Sequence, residues 1–225
     1  MNLRIDNWSG KWAAEKIRSH EKVTAVSVLS SNIIQVSRES GEELKIATMS
    51  SNRVNAEAIE ALLKKTGDVD FVVNIPKDAY IVGDTFALAD ERNFGFGGVG
   101  DLFAALNSKS VRTYLSSEFA FVLRSIRQHS KVVNVVRLDN RRLLIERRGL
   151  EPVSVLILND YELTADHVRV GIERYGEFQT IVRSNPNSRV TMAASTVADE
   201  SGIRIFDWSE FLRELNREWK WKKLS

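Results

Sequence analysis

The chain alternates between segments whose apolar residues recur with a helical period and segments in which every second residue is apolar. The helical period predicts a helix over Gly10–His20. The period of two predicts strands at Val23–Leu29, Ile33–Arg38 and Leu44–Met49, and the polar turn at 30–32 is of the kind that closes a hairpin. The chain therefore begins with a helix followed by three antiparallel strands.

An amphipathic helix, a strand and two further helices are predicted next. The helix over Asn55–Lys65 opens on a capping residue, and Gly67 ends it where a positive φ is needed. A strand at Val69–Ile75 follows, and then a helix around Thr85–Glu91. A short extended piece and a closing helix complete the order α-β-β-β-α-β-α-(β)-α, at Phe94–Phe96 and Leu102–Leu106.

The same order occurs twice, because the chain lies over itself without a gap when it is shifted by 109 residues. Lys22 then falls on Lys131, and Gly67 falls on Gly176. The shift predicts two domains, residues 1–108 and 109–225, and the short join at 107–109 leads us to expect that they pack on each other. The first helix, the three strands, the amphipathic helix and the next strand of the second copy are predicted at Val111–His129, Val132–Leu138, Leu143–Arg147, Val153–Leu158, Thr164–Arg174 and Phe178–Ser184.

Composition limits the classes of chemistry that the chain can perform. It has 225 residues, of which 43% are hydrophobic and 28% charged, as in ordinary globular proteins. The absence of cysteine excludes disulfides, thiolate chemistry and cysteine-ligated zinc, and is typical of a reducing cytoplasm. No apolar run approaches the roughly 20 residues that a membrane span needs. We expect a cytoplasmic protein that does not bind membranes.

Charge is divided unequally between the two copies. Residues 1–108 carry 12 Lys and Arg against 15 Asp and Glu, a net charge of −3, whereas residues 109–225 carry 20 against 15, a net charge of +5. The asymmetry predicts an anionic partner, DNA or RNA, for the basic second copy. For the acidic first copy it predicts a protein partner or a second chain in a homo-oligomer.

Basic side chains cluster around the first hairpin of the second copy and in the C-terminal tail. Arginine suits phosphate oxygens because its guanidinium donates two parallel hydrogen bonds, and the tail interleaves Trp219 and Trp221 with lysines that could add stacking to charge. The alternative is that these arginines pair with local acids. The predicted nucleic-acid-binding residues are Lys131, Arg137, Arg141, Arg142, Arg147, Arg148, Lys220, Lys222 and Lys223.

Other motifs favour no separate chemistry. The glycine-rich stretch at 95–100 matches a phosphate-binding pattern, but the aligned stretch of the second copy lacks glycine, which indicates a flexible turn. His20 and His129 occupy equivalent places just before the first strand, where imidazole suits a helix C-terminus. No histidine spacing predicts a zinc site, and no serine lies in the motif of a triad hydrolase.

The order of elements resembles the restriction-endonuclease-like, or PD-(D/E)xK, superfamily. In the second copy the stretches Arg183–Pro186, Val190–Ala194 and Gly202–Phe206, followed by Phe211-Leu212, are similar to the Mrr-type branch. The resemblance covers nearly all of each copy. It implies an α/β fold made by tandem duplication of an αβββαβ restriction-endonuclease-like unit, with pseudo-two-fold symmetry.

The resemblance also implies where a nuclease would hold Mg²⁺. The family needs an Asp on the second strand and a Glu-x-Lys or Gln-x-Lys on the third, because Mg²⁺ takes oxygen ligands. Alignment on the Gly41 turn puts apolar residues at all of these places. The resemblance therefore implies a non-catalytic, nucleic-acid-associated protein without a cofactor, in a DNA-handling or phage-defence context. The six apolar positions are Ile34, Ala47, Met49, Leu143, Leu156 and Leu158.

Two alternatives remain open. In a shifted register Glu43 and Lys45 form a Glu-x-Lys on the third strand, and Glu15 on the first helix could assist, which would make the chain a Mg²⁺-dependent nuclease. The second copy has Pro152 and Ser154 at the equivalents of Glu43 and Lys45. The other alternative is a protein-interaction or assembly module that binds no nucleic acid.

Overall fold

A computed structural model of the chain describes residues 9–219. The chain divides into two compact units, which we call unit 1 (residues 1–116) and unit 2 (residues 117–225). Each unit is mixed α/β and contains one five-stranded sheet. The predicted α/β duplication is confirmed at this level.

The sheet of unit 1 combines an antiparallel meander with parallel strands. Strands β1 (Val23–Ser30), β2 (Ile33–Arg38) and β3 (Glu43–Met49) pair antiparallel in this order. Strands β5 (Phe71–Asn74) and β7 (Gly95–Gly97) then extend the sheet parallel to β3, in the order β1-β2-β3-β5-β7. A separate two-stranded parallel sheet is formed by β4 (Arg53–Val54) and β6 (Tyr80–Ile81).

Helices of unit 1 cover both faces of its sheet. Helices α1 (Ser9–Ile17) and α4 (Val99–Leu106) pack on the face that carries Leu44 and Ile46. Helices α2 (Ala56–Thr66) and α3 (Gly83–Arg92) pack on the opposite face, which carries Ala47 and Met49. Asn55 caps α2 by accepting the N–H of Ala58, and Gly67 ends α2 at a φ of 69°, as predicted.

Unit 2 repeats these elements, and most of its element starts differ from those of unit 1 by the predicted 109 residues. Its sheet has the order β14-β12-β10-β9-β8, with β8, β9 and β10 antiparallel and β10, β12 and β14 parallel. The elements are α5 (Ser117–Arg127), β8 (Val132–Arg137), β9 (Arg142–Arg147), β10 (Leu150–Leu158), β11 (Glu162–Leu163), α6 (Ala165–Tyr175), β12 (Thr180–Arg183), β13 (Arg189–Val190), α7 (Met192–Glu200), β14 (Arg204–Phe206) and α8 (Trp208–Glu214).

The first helix of the second copy is shorter than predicted, and the boundary between the units lies later. Helix α5 begins at Ser117, whereas the sequence pattern predicted a helix from Val111. Val111 is instead buried in the core of unit 1, and Arg112 forms an ion pair with Asp70 at 2.7 Å. The segment after residue 108 therefore belongs to unit 1, because its apolar residue completes that core.

The later boundary reduces the charge asymmetry. Lys109 and Arg112 now belong to unit 1, so that residues 1–116 carry 14 Lys and Arg against 15 Asp and Glu, a net charge of −1. Residues 117–225 carry 18 against 15, a net charge of +3. Unit 2 is still basic, but unit 1 is close to neutral. Among residues 9–219, no helix is long and apolar enough to cross a membrane.

Candidate nucleic-acid interface

The predicted basic residues of unit 2 lie at two opposite ends of the β8–β9 hairpin. Arg137, Arg141 and Arg142 lie at the turn between the two strands, and Arg147 and Arg148 lie at the far end of β9. Lys131 precedes β8, and its carbonyl accepts the backbone N–H of Arg148 at 2.7 Å. The hairpin thus separates the predicted set into two groups with different surroundings.

Asp139 organises the turn end of the hairpin. Its carboxylate is fully buried and accepts the backbone N–H groups of Arg141 and Arg142 at 2.8 and 2.7 Å. It also accepts the Arg142 Nε–H at 2.7 Å, and Arg142 Nη1 donates to the carbonyl of Glu177 at 2.8 Å. A buried carboxylate requires such partners, so Arg142 serves the turn itself.

The other two arginines at the turn also have partners within unit 2. Arg141 Nη1 donates to both carboxylate oxygens of Glu118 at 3.1 Å, and Ser184 Oγ donates to Glu118 at 2.8 Å. The Arg137 guanidinium lies 4.2 Å from the ring centroid of Phe119, a cation–π distance. These contacts connect the turn to the N-terminus of α5, and each of the three guanidinium groups already has a partner within unit 2.

Arg147 is buried and binds carbonyl groups instead of acids. Its Nε and Nη2 donate to the carbonyl of Glu151 at 3.0 and 2.8 Å, and its Nη1 donates to the carbonyls of Leu215 and Arg217 at 3.3 and 2.7 Å. The guanidinium also lies 5.1 Å from the ring centroid of Trp219. Burial lowers the pKa of Arg147, because the charged form loses water.

The equivalent residue of unit 1 makes the same contact. Arg38 Nη2 donates to the carbonyls of Leu106 and Ser108, both at 2.8 Å, and these are the counterparts of Leu215 and Arg217. A contact present in both units is part of the fold. Arg147 therefore closes the end of α8 and is not available to a ligand.

The remaining predicted cations, Lys131 and Arg148, lie where three elements of unit 2 meet. The segment that follows α5 approaches the segment that follows α8 there, since His129 Nε2 is 3.4 Å from Asn216 Nδ2. Asn216 Nδ2 also donates to the carbonyl of Arg213. We call this region the basic corner and define it by four cations whose side chains have no ion pair or hydrogen bond within residues 9–219: Arg127, Lys131, Arg148 and Arg213.

The same corner of unit 1 is neutralised by an acid. Lys22, the counterpart of Lys131, forms an ion pair with Glu39 at 3.2 Å, and Glu39 is the counterpart of Arg148. Ala104 stands in unit 1 where unit 2 has Arg213. Arg127 and Arg213 were not among the predicted residues, but the sequence contained the signal for Arg213. A charge comparison at the 109-residue shift would have found that position.

The residues of the nuclease alternative do not come together. Lys45 donates its Nζ to the carbonyl of Thr66 at 2.6 Å, at the end of α2, and Glu43 is exposed and accepts from Gln35 Nε2 at 2.7 Å. Hydrogen bonds from Ser37 and then Gln35 hold the pKa of Glu43 below its usual value. Glu15 lies on α1, which packs on the opposite face of the sheet.

The apolar positions expected to replace a nuclease site do not form one pocket. Ile34 pairs with Ile46 and faces the α1 side of the sheet, whereas Ala47 and Met49 face the α2 side. The equivalent residues of unit 2 divide in the same way, since Leu143 pairs with Val155 and neighbouring Leu156 points to the other face. The alignment on the Gly41 turn therefore combines residues of both faces of the sheet in each unit.

Polar groups lie instead where the hairpin turn, the first helix and the third strand meet in each unit. In unit 1 this locus is uncharged: Ser9 Oγ and Thr48 Oγ1 are 2.9 Å apart, and Asn32 Nδ2 donates to Ser9 Oγ at 3.2 Å. In unit 2 it holds Glu118 with Arg141. In the described part of the chain no three His, Cys, Asp or Glu side chains are grouped so that they could hold a metal ion.

The glycine-rich stretch of unit 1 is already occupied by a carboxylate. Asp101 Oδ2 accepts the N–H of Gly98 at 2.9 Å at the start of α4. A Cβ on Gly97 would lie 2.5 Å from the Asp101 side chain, so glycine is required there by close packing. The Asp101 carboxylate would repel a phosphate, so the glycine-rich stretch is a structural turn, as predicted.

The predicted tail cations Lys220, Lys222 and Lys223 lie outside the described residues, as does Trp221. Trp219 is buried and donates its Nε1–H to the carbonyl of Glu214 at 2.8 Å, so the chain enters the tail close to Arg147. No protein-family model, no curated protein and no solved structure matches this chain.

Proposed function

We propose that this protein binds nucleic acid without cutting it, and that the basic corner of unit 2 holds the phosphate backbone. The observation that carries the proposal is the pair Lys131 and Arg148, two cations on hydrogen-bonded backbone segments that form no ion pair within residues 9–219. Unit 1 places an ion pair at the same corner. A cellular context of DNA handling or phage defence follows from the resemblance alone.

The electrostatics of the corner favour an anionic ligand. Two neighbouring cations repel each other, and Arg127 and Arg213 add to the same positive potential. A phosphate group can take the place that the Glu39 carboxylate has in unit 1, and an arginine fork can donate two hydrogen bonds to it. Nucleic acid offers a row of such groups, and backbone contacts need no base-specific recognition.

The carboxylates of unit 2 support a binding role over a catalytic one. Glu118 and Asp139 lie at the turn end of the β8–β9 hairpin, and each is held by an arginine at 3.1 Å or less. The sheet order, a meander followed by parallel strands, agrees with a restriction-endonuclease-like unit. Under this proposal the two carboxylates serve as partners for arginine side chains and do not act as oxygen ligands of Mg²⁺.

The substitution Arg148→Glu in the full chain tests the proposal. It restores the pairing found in unit 1, now between Lys131 and the introduced carboxylate, so we expect the thermal midpoint to be unchanged or slightly higher. Binding to a labelled oligonucleotide at low salt should weaken about tenfold or more, because a phosphate contact is lost and an acid is added. The slope of log affinity against log salt should fall by at least about one.

The matched control is Arg18→Glu, which changes the net charge by the same amount. Arg18 is exposed in unit 1 and is the counterpart of Arg127. We expect it to leave the affinity within about twofold, since nonspecific charge effects are weak. Equal losses in both variants, or no binding by the wild type at low salt, would refute the proposal. Hydrolysis of the oligonucleotide with Mg²⁺ that is lost in Lys45→Ala would instead favour the nuclease alternative.

A further inference from the structure

An aromatic pair lies on helices α5 and α8, which pack on the same core of unit 2 and form a helical layer that leads to the basic corner. Phe121 on α5 is 41% exposed, and its ring centroid is 5.2 Å from that of Trp208 on α8. Trp208 packs on the core, since its ring centroid lies 5.8 Å from that of the fully buried Phe211. The pair forms a fixed apolar platform with one ring open to solvent.

Comparison with unit 1 shows that the fold does not require this platform. Trp12 stands at the counterpart of Phe121, but it is half-buried and Lys16 Nζ lies 5.8 Å from its ring centroid. Val99 stands at the counterpart of Trp208 and suffices to close the layer. The second aromatic ring is thus an addition in unit 2, and it packs against the exposed ring of Phe121.

Cations extend from the platform to the basic corner along one helix. Arg124 lies one turn after Phe121, is exposed and has no ion pair in the described residues, whereas unit 1 has Glu15 at the counterpart position. From Phe121 to Arg127 the helix rises about 9 Å, since each residue adds about 1.5 Å. This distance matches two to three nucleotides at about 3.4 Å per stacked step.

Acidic residues beside Trp208 indicate which side of the helical layer a nucleic-acid strand would occupy. Asp207 and Glu210 flank Trp208, and the Asp207 carboxylate caps α8 by accepting the N–H of Glu210 at 2.8 Å. Phosphates are repelled from that side and attracted to the α5 side. A strand that crosses the layer would therefore place a base over Phe121 and its phosphates along Arg124 and Arg127.

We infer that unit 2 prefers single-stranded nucleic acid, with one base stacked on Phe121 and the phosphates held by Arg124 and the basic corner. The inference rests on the proposed function and specifies the form of its ligand. Aromatic side chains stack on unpaired bases, whereas the bases of a duplex are stacked on each other and inaccessible. Cations without aromatic rings would serve either form equally.

The test compares a single strand and a duplex of the same length, both labelled, binding to the full chain. The wild type should bind the single strand about tenfold more tightly. Phe121→Leu keeps apolar packing but removes the ring, and it should weaken single-strand binding by about five- to a hundredfold while leaving duplex binding unchanged. Trp12→Leu, the matched change in unit 1, should leave both affinities unchanged.

Arg124→Glu provides a second variant in case Phe121→Leu disturbs folding, because Arg124 is exposed and its loss removes no described contact. It should weaken single-strand binding about tenfold. If both variants bind the single strand like the wild type while Arg148→Glu does not, stacking is refuted and the proposed function stands. A duplex bound as tightly as the single strand also refutes the inference, and failure to bind either probe refutes both proposals.

Discussion

Arg147 and Arg148 are adjacent in the chain, and the structure predicts opposite effects when each is replaced by alanine. Arg147 is 5% exposed and bonded to carbonyl groups, whereas Arg148 is exposed and has no side-chain partner in the described residues. Arg147→Ala should reduce the stability of unit 2 without changing the affinity of the folded protein for nucleic acid. Arg148→Ala should reduce affinity without changing stability.

The magnitude for Arg147→Ala follows from its contacts. Four hydrogen bonds reach the carbonyls of Glu151, Leu215 and Arg217, and a hydrogen bond to a charged group contributes about 1.5–3 kcal/mol. Removal of the guanidinium also relieves the cost of burying a charge, which is the reason that the pKa of Arg147 is lowered. Water can reach some of the freed carbonyls, so we expect a net loss of about 2–4 kcal/mol.

Urea unfolding of the full chain measures the change in stability. Binding of an oligonucleotide at low salt and without urea measures the change in affinity. Arg148→Ala should change the free energy of unfolding by less than about 0.5 kcal/mol, as expected of an exposed position. Arg38→Ala should destabilise unit 1 comparably, because it removes the equivalent contact. A loss below about 1 kcal/mol for Arg147→Ala, or a fall in affinity as large as that of Arg148→Ala, would refute the assignment.

Two further predictions concern buried and hydrogen-bonded carboxylates. Asp139→Ala should lower the free energy of unfolding by about 3–5 kcal/mol in urea titrations, because it removes the carboxylate partner of the Arg142 charge and the acceptor of its Nε–H and of two backbone N–H groups. A loss below about 1 kcal/mol would contradict this. Gln35→Ala should raise the pKa of Glu43 toward its usual value in an NMR titration, because one donor to the carboxylate is lost while Ser37 remains. Because the pKa of Glu43 is lowered in the folded state, the Glu43 carboxylate stabilises the folded state above its unfolded pKa, and this stabilisation is lost as the pH falls through the folded-state pKa. An unchanged titration of Glu43 would show that Gln35 is not its partner.

Most of the secondary structure could be predicted from the sequence because hydrophobic periodicity and glycine positions determine it locally. The β9 prediction differs from the structure by one residue, and Gly176 ends α6 at the expected positive φ. The start of α5 could not be predicted. Val111, Leu115 and Phe119 have helical spacing, but Val111 packs in unit 1 and Phe119 in unit 2, and periodicity does not distinguish two cores.

The candidate site was predicted only in part, since sequence spacing does not show which guanidinium groups have partners. Arg141 pairs with Glu118, which is 23 residues away in the chain, and Arg147 binds carbonyls that lie 68 and 70 residues away. Long-range contacts of this kind depend on how the helices close over the sheet. The two predicted cations that lack such partners, Lys131 and Arg148, are the ones that still support an interface.

Comparison of the units separates contacts that the fold needs from charges that it does not need. The side chain of Asp70 accepts the N–H of Lys45 in unit 1, and Gln179 accepts the N–H of Ser154 at the same place in unit 2, so the hydrogen bond is kept while the charge is lost. At exposed counterparts the acids Glu15 and Glu39 are replaced by arginines. The backbone contacts of the two units therefore agree while their surface charge differs.

This pattern bears on function because two of the charge differences lie on one surface of unit 2. Three arginines of unit 2 stand where unit 1 has acids, and one of them, Arg169, forms an ion pair with Asp166. The other two, Arg124 and Arg148, lie on α5, which carries Phe121, and beside Lys131. A fold that only needed to be stable would gain nothing from like charges placed side by side, since each such pair is unfavourable. An anionic ligand removes that cost, which makes the bound state the one in which these positions are electrostatically satisfied.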